Sequence, residues 1–171
     1  PTLVLLGPQR NIETFNVQYD AQSMSEVKAS MLDFSNKNIM TGTSKSRDIP
    51  SLCTDAAIED MQSSPSTRIP RPRHGDNVDL TRTTTVDATR ASYAYEATGK
   101  VRGQCYPGVL RPYQVVTVKA GNMPLSGDYL VFKVTHSLSR SDYFQDFGLR
   151  RNAKSEKSGA VPVNAAGSKS L

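Results

Sequence analysis

In the last third of the chain, apolar and polar residues alternate with a period of two through one stretch after another, and this constrains the fold more than any other feature. Val116 and Val118 alternate with Thr117 in the run from Leu110 to Lys119. In the next run, Ser126 to His136, Tyr129, Val131, Lys133 and Thr135 fall on one side and Leu130, Phe132, Val134 and His136 on the other. A third run starts at Tyr143-Phe144 and continues through Leu149 to Arg151-Asn152. Successive strand side chains point to opposite faces, so this period reads as half-buried strands. Loop residues 120–127 and a polar turn at 139–142 separate the three. The expected class is α+β, mainly β: a small antiparallel β-barrel or sheet with one helix and a long polar insertion.

Upstream, Leu3 to Leu6 reads as a buried strand and Ile12 to Tyr19 as a strand with one buried face, through Phe15, Val17 and Tyr19. Val27, Ala29 and Met31 alternate again, and a strand there is expected to pair with the preceding one across residues 20–26. Residues 35–73 are rich in Ser, Thr, Asn, Asp and Pro and read as a long loop, with a short helix over 55–61 and extended backbone at Ile69-Pro-Arg-Pro. Asp79 to Gly99 reads as the helix, with Val86, Arg90, Tyr93 and Ala97 on one face. Asp79 or Thr81 would cap it and Gly99 would end it, while the β-branched run Thr83–Thr85 pushes its start toward Val86. Lys100 to Cys105 follows as a strand, and Tyr106-Pro-Gly108 as a turn. From Asn152 onward the Lys/Ser/Gly/Ala composition reads as a flexible tail. The chain thus divides into strands (1–34), an insertion (35–79), a helix with barrel strands (80–152) and a tail (153–171).

A hydrophobic fraction of 37% is low for a compact globule of this size, so part of the surface is expected to be loop or to face partners. The formal charge of +5 is mildly basic, and a solvated basic surface explains it. The densest basic cluster, Arg68-Ile-Pro-Arg-Pro-Arg-His74, is broken by Pro and lacks interleaved aromatics, which makes a poor nucleic-acid groove. Cys53 and Cys105 lie far apart outside any CxxC or Cys/His pattern, and two indifferent thiols suit them better than a disulfide. No apolar run approaches the roughly 20 residues that span a bilayer, so no membrane insertion is expected. A chain that opens on Pro rather than Met is expected to be a fragment.

The residues offer no convincing catalytic set. His74 follows a Pro/Arg loop, and His136 lies near a strand end beside a turn; neither belongs to an HExxH arrangement. Glu59-Asp60, or Glu13 with Asp20, would have to face each other across a cleft to cleave a glycosidic bond, and solvated surface acids explain them better. Gly99-Lys-Val-Arg-Gly103 is no phosphate loop. Tyr93, Tyr95 and Tyr106 are the candidates for a base-stacking platform, with core or interface packing the simpler reading. No catalytic, cofactor-binding or metal-ligating residue is assigned. Gly99, Gly103, Pro112 and Gly127 are expected at structural turns, Gly127 with the positive φ of a tight turn.

The ordered series of a helix, Gly99-Lys-Val-Arg-Gly103, Leu110-Arg-Pro-Tyr-Gln-Val-Val-Thr-Val118, Ser126-Gly-Asp-Tyr-Leu-Val-Phe-Lys-Val-Thr-His136, then Tyr143, Phe147 and Arg151-Asn152, resembles the C-terminal part of phage late-control gene D proteins. These are tail baseplate hub proteins related to the base of the VgrG spike. The resemblance covers roughly residues 80–152 and departs at Tyr113-Gln114, where the family usually has glycine-aspartate. It implies a non-enzymatic structural role: a homotrimeric hub in the virion baseplate, assembled in the host cytoplasm. Such a hub links the tail tube protein to the spike protein, and DNA or tape-measure protein makes at most transient contact with it. The family's first barrel would lie upstream. Tyr129, His136, Tyr143 and Arg151 are the expected assembly surface. The alternatives left open are a baseplate-associated cell-wall hydrolase and a nucleic-acid-binding β-barrel.

Overall fold

The computed structural model describes residues 1–20, 26–33, 36–53, 57, 67–69, 77–121 and 124–154. Its elements run β1 (Thr2–Val4), β2 (Ile12–Tyr19), β3 (Glu26–Asp33), β4 (Asn38–Lys45), β5 (Thr67–Arg68), α1 (Asn77–Ser92), β6 (Tyr95–Arg102), β7 (Val115–Lys119), β8 (Gly127–Leu138) and β9 (Tyr143–Arg151). The mainly β class with one helix is as expected from the sequence. Six strands form one sheet in the order β1-β7-β8-β9-β6-β2, curled into a half-barrel, and three form a smaller sheet in the order β4-β3-β5.

The three C-terminal runs are the centre of the large sheet. β7 pairs antiparallel with β8, and β8 with β9, as the alternation requires. Their inward side chains build the core: Val116, Val118, Tyr129, Val131, Phe147 and Leu149 are buried together with Leu3, Ile12, Ala97, Val101 and Leu110. β1 lies parallel to β7 and carries Leu3 into that core. The curl brings the ends of the sheet together at one corner, where Asn11 N–H donates to the Val4 carbonyl at 2.9 Å and Asn11 Oδ1 accepts from Val4 N–H at 2.7 Å.

Four expectations are corrected. First, the helix ends at Ser92, and residues 95–102 are a strand. Ala97 and Val101 are buried in the sheet core while Glu96 and Thr98 face outward. Alanine's helix propensity is a weak preference, and pairing with β2 and β9 on both sides overrides it.

Second, the helix starts at Asn77, well before Val86, and its buried residues are Leu80, Thr84, Ala88 and Ser92 rather than Val86, which is 51% exposed. The threonine hydroxyls find partners within the helix, donating to carbonyls one turn back. Thr84 bonds Leu80, Thr85 bonds Thr81, and Thr89 bonds Thr85. Asp79 and Thr81 lie inside the first turns rather than at the cap.

Third, β2 and β3 do not pair. β2 joins β6, and β3 joins β4 and β5 in the other sheet. Fourth, the expected loop from residue 35 contains β4, which pairs with the whole of β3. β4 carries little sequence signal because its inner face, Met40, Gly42 and Ser44, holds a single large apolar residue. They suit a helix lying close: a Cβ on Gly42 would stand 3.1 Å from Leu80 Cγ, and Ser44 Oγ lies 3.2 Å from Thr84 Oγ1. The small sheet therefore takes in residues on both sides of the boundary read at 34/35. The short helix expected at 55–61 lies outside the described residues except for Ala57, and the tail from 155 onward lies outside them entirely. Ala153 is fully buried and belongs to the folded part.

Candidate assembly surfaces

The four glycine and proline positions fall in two groups. Gly103 and Pro112 lie in turns, and Gly127 opens β8 with φ +138°. Gly99 sits within β6, where it is needed for space: a Cβ there would lie 2.4 Å from the Phe147 ring and 2.5 Å from the Thr14 carbonyl oxygen. The ring of Tyr143 covers Gly103 in the same way, and the ring of Phe132 covers Gly148. After Pro112, Tyr113 takes φ +65° with its side chain 85% exposed. Tyr113 therefore holds a left-handed conformation with a Cβ strain that glycine would avoid.

Of the expected surface residues, only His136 and Tyr143 reach the surface. They lie on the β8–β9 hairpin, with His136 Nδ1 2.7 Å from the Tyr143 hydroxyl and the rings stacked 5.9 Å apart. Tyr129 and Arg151 are fully buried and are core residues, a correction to the sequence reading. Tyr129 points inward because its position shares the face of Val131, and its hydroxyl donates to the Leu125 carbonyl at 2.8 Å. Burial raises its pKa above the usual phenol value, opposed by the hydrogen bond and charge of Arg151.

The hairpin has an open side. β7 pairs with β8 only over residues 127–130, and the last bonds on that side join Tyr113 and Gln114 to Val131. Beyond them, no described strand pairs with the outer edge of residues 133–138, and Leu138 is 78% exposed. The opposite edge of the sheet is β2, which pairs only with β6 among the described strands. Arg10 covers its first two carbonyls, Nε donating to Ile12 and Nη2 to Glu13, both at 2.8 Å.

The convex side of β6, β8 and β9 carries two ridges. Lys100 and Arg102 lie over the Phe144 ring at 5.1 and 5.3 Å, and Arg150 over the Phe132 ring at 4.1 Å. Asp146, Glu13 and Glu96 stand 3.6, 3.3 and 3.4 Å from these three cations in turn. An open groove of about 550 Å3, lined by Asn16, Thr98, Phe132, Lys133, Thr135 and Asp146, lies alongside. Sequence reasoning missed these ridges, because only the strand register brings Phe144 beside Lys100 and Arg102. A base-stacking platform needs free ring faces and unmatched positive charge. Here cations cover the rings and carboxylates match the cations.

The other candidates do not converge. Glu13 is held by Arg102, while His74, Glu59 and Asp60 lie outside the described residues. Tyr106 is buried, which raises its pKa, and the Tyr95 ring lies tilted against that of Tyr19, 4.6 Å between centroids. Tyr19 is also raised, by burial first and then by Tyr95 and Asp20. Cys53 is a buried free thiol and Cys105 an exposed one. Among the described residues no group of three or more His, Cys, Asp or Glu could hold a metal ion, and no helix is long and apolar enough to cross a membrane.

No family model and no curated protein matches the chain. Solved structures do. A tail protein from Neisseria meningitidis MC58 superposes with a TM-score of 0.62 at 16% identity, covering 88% of this chain and 44% of that one. The 43 kDa tail protein of prophage MuSo2 from Shewanella oneidensis superposes with a TM-score of 0.57 at 11% identity, covering 88% and 41%. The chain thus shares the fold of phage tail proteins and spans less than half the length of either.

Proposed function

We propose that this protein is a structural component of a contractile phage tail or related injection machine: a baseplate hub, homotrimeric, joining the tail tube to the central spike. The observation that carries the reading is the tail-protein fold over 88% of the chain. Two features support it. The large sheet leaves residues 133–138 of β8 and the later part of β2 as edges without a described partner strand. In addition, β8 and β2 run antiparallel to each other, since three antiparallel pairings separate them. Copies rotated about an axis along the strands would therefore set one β8 edge against the next copy's β2 edge in the antiparallel sense, a head-to-tail contact that closes into a ring. Exposed His136 and Leu138 and half-buried Tyr143 would lie at that contact. The role requires no catalytic step of the chain, places it in the virion after assembly in the host cytoplasm, and leaves DNA or tape-measure protein to pass with at most transient contact.

The test is to count and place the protein in purified particles. Quantitative mass spectrometry against a tail component of known copy number should give three copies per particle. Electron microscopy of particles carrying a tagged copy should put the label at the junction of tube and spike. A label on the head or fibres, or hundreds of copies along the tube, overturns the reading.

A further inference from the structure

The two open edges of the large sheet match each other residue for residue. Along an antiparallel strand, alternate residues send both N–H and carbonyl to the same side. Ser139 N–H donates to the Asp142 carbonyl at 2.8 Å, in the register of the β8–β9 ladder. Lys133, Thr135 and Ser137 therefore bond β9, and Val134, His136 and Leu138 send their backbone groups to the open side. Asp20 N–H donates to the Ala94 carbonyl at 2.8 Å, in the register of the β2–β6 ladder. By the same alternation Thr14, Asn16 and Gln18 bond β6, and Phe15, Val17 and Tyr19 face outward. Among the described residues no backbone group bonds either outward set.

Both sets are also bounded. Arg10 occupies the Ile12 and Glu13 carbonyls at one end of β2, and the bond of Asp20 to Ala94 closes the other. On β8, Tyr113 and Gln114 hold Val131 at one end, and the turn at Ser139 closes the other. Full antiparallel overlap therefore sets Val134 opposite Tyr19, His136 opposite Val17 and Leu138 opposite Phe15. Phe15, Val17 and Val134 already pack against the core, so the joined edges carry one apolar inner face from copy to copy. On the outer face this register brings Lys133 opposite Asp20, with the polar pairs Thr135–Gln18 and Ser137–Asn16 beyond. A slip of two residues one way moves Lys133 opposite Gln18, and the other way sets Thr135 opposite Asp20. Only the full overlap matches the charges.

We propose that the open β8 edge takes the β2 edge of a second copy of this chain in that one register, locked by Lys133 against Asp20. The inference rests on the head-to-tail contact of the hub reading and fixes which residues meet in it.

The test is a disulfide trap on the full chain. Two differently tagged chains, both with Cys105→Ser to remove the exposed thiol, carry Ser137→Cys and Asn16→Cys respectively. All substituted strand positions are exposed, so the fold is kept. The proposed register makes Ser137 and Asn16 a pair without hydrogen bonds, with Cα atoms about 4.5 Å apart and within reach of a disulfide. Mixed and mildly oxidised, the two chains should give a covalent heterodimer about tenfold faster than either chain alone, and about tenfold faster than Thr135→Cys with Asn16→Cys, the pair of the slipped register. Lys133→Glu beside Ser137→Cys should slow trapping about threefold, and Asp20→Lys beside Asn16→Cys should restore it. Equal trapping of the slipped pair, faster trapping of Ser137→Cys with itself, no trapping, or indifference to Lys133→Glu overturns the proposal. Copy number and labelling in particles test the hub reading separately, so a failed trap with three labelled copies at the tube–spike junction would remove the register alone.

Discussion

At the scale of single residues, the glycines separate two roles that a sequence cannot tell apart. Gly99 and Gly148 both lie under aromatic rings, yet the space differs. At Gly99 an added methyl meets Phe147 and also the Thr14 backbone of the neighbouring strand, which cannot move aside. At Gly148 it meets only the ring of half-buried Phe132, 2.8 Å away. Gly99→Ala is therefore expected to cost about 3 kcal/mol and Gly148→Ala about 1 kcal/mol in urea unfolding. Equal losses would mean that the β2–β6 pairing relaxes freely. Tyr129 gives a pH-dependent prediction. Burial raises its folded pKa above the unfolded phenol's value of about 10. The stabilisation is therefore complete below that value and is lost as pH rises through the folded pKa, because the unfolded chain gives up its proton first. Tyr129→Phe should flatten the alkaline limb of a stability–pH curve. It should also lose about 1 kcal/mol near neutrality with the bond to Leu125. An unchanged alkaline slope would assign the effect to other tyrosines.

At the scale of elements, the strands with strong apolar contrast were readable and those without it were not. β7, β8 and β9 alternate between core valines, tyrosine or leucine and outward polar or half-buried residues, so periodicity alone places them. β4 and α1 meet through Gly42, Ser44, Thr84 and Ala88, residues that also suit loops, and only the close approach of helix to sheet gives them meaning. Among the described side chains of that helix Leu80 is the one large, fully buried one, and it stands over Gly42. Leu80→Ala should cost about 3 kcal/mol. Its effect should be local: amide exchange should speed up in β3, β4 and α1 while β8 and β9 stay protected. Uniform acceleration across both sheets would show that they unfold as a single unit.

At the scale of the whole molecule, the question is what the open edges do in isolation. Arg10 covers the start of the β2 edge, leaving only its later part free, and β1 is only 3 residues long, so the free templates are short. The β8 edge is polar apart from Val134 and Leu138. The isolated chain is therefore expected to scatter light as a monomer or a weak, concentration-dependent oligomer. His136→Pro, at a position whose N–H points away from β9, should abolish any such association. A stable hexamer of the isolated chain would contradict this. The sequence by itself determined the class and the three central strands, because these depend on local alternation and residue type. The tertiary structure alone decided that residues 95–102 are strand, that β2 and β3 part into different sheets, and that Tyr129 and Arg151 are core rather than surface. Each of those outcomes depends on which distant strand supplies hydrogen bonds and van der Waals contact, and period-two alternation is the same whichever neighbour a strand finds.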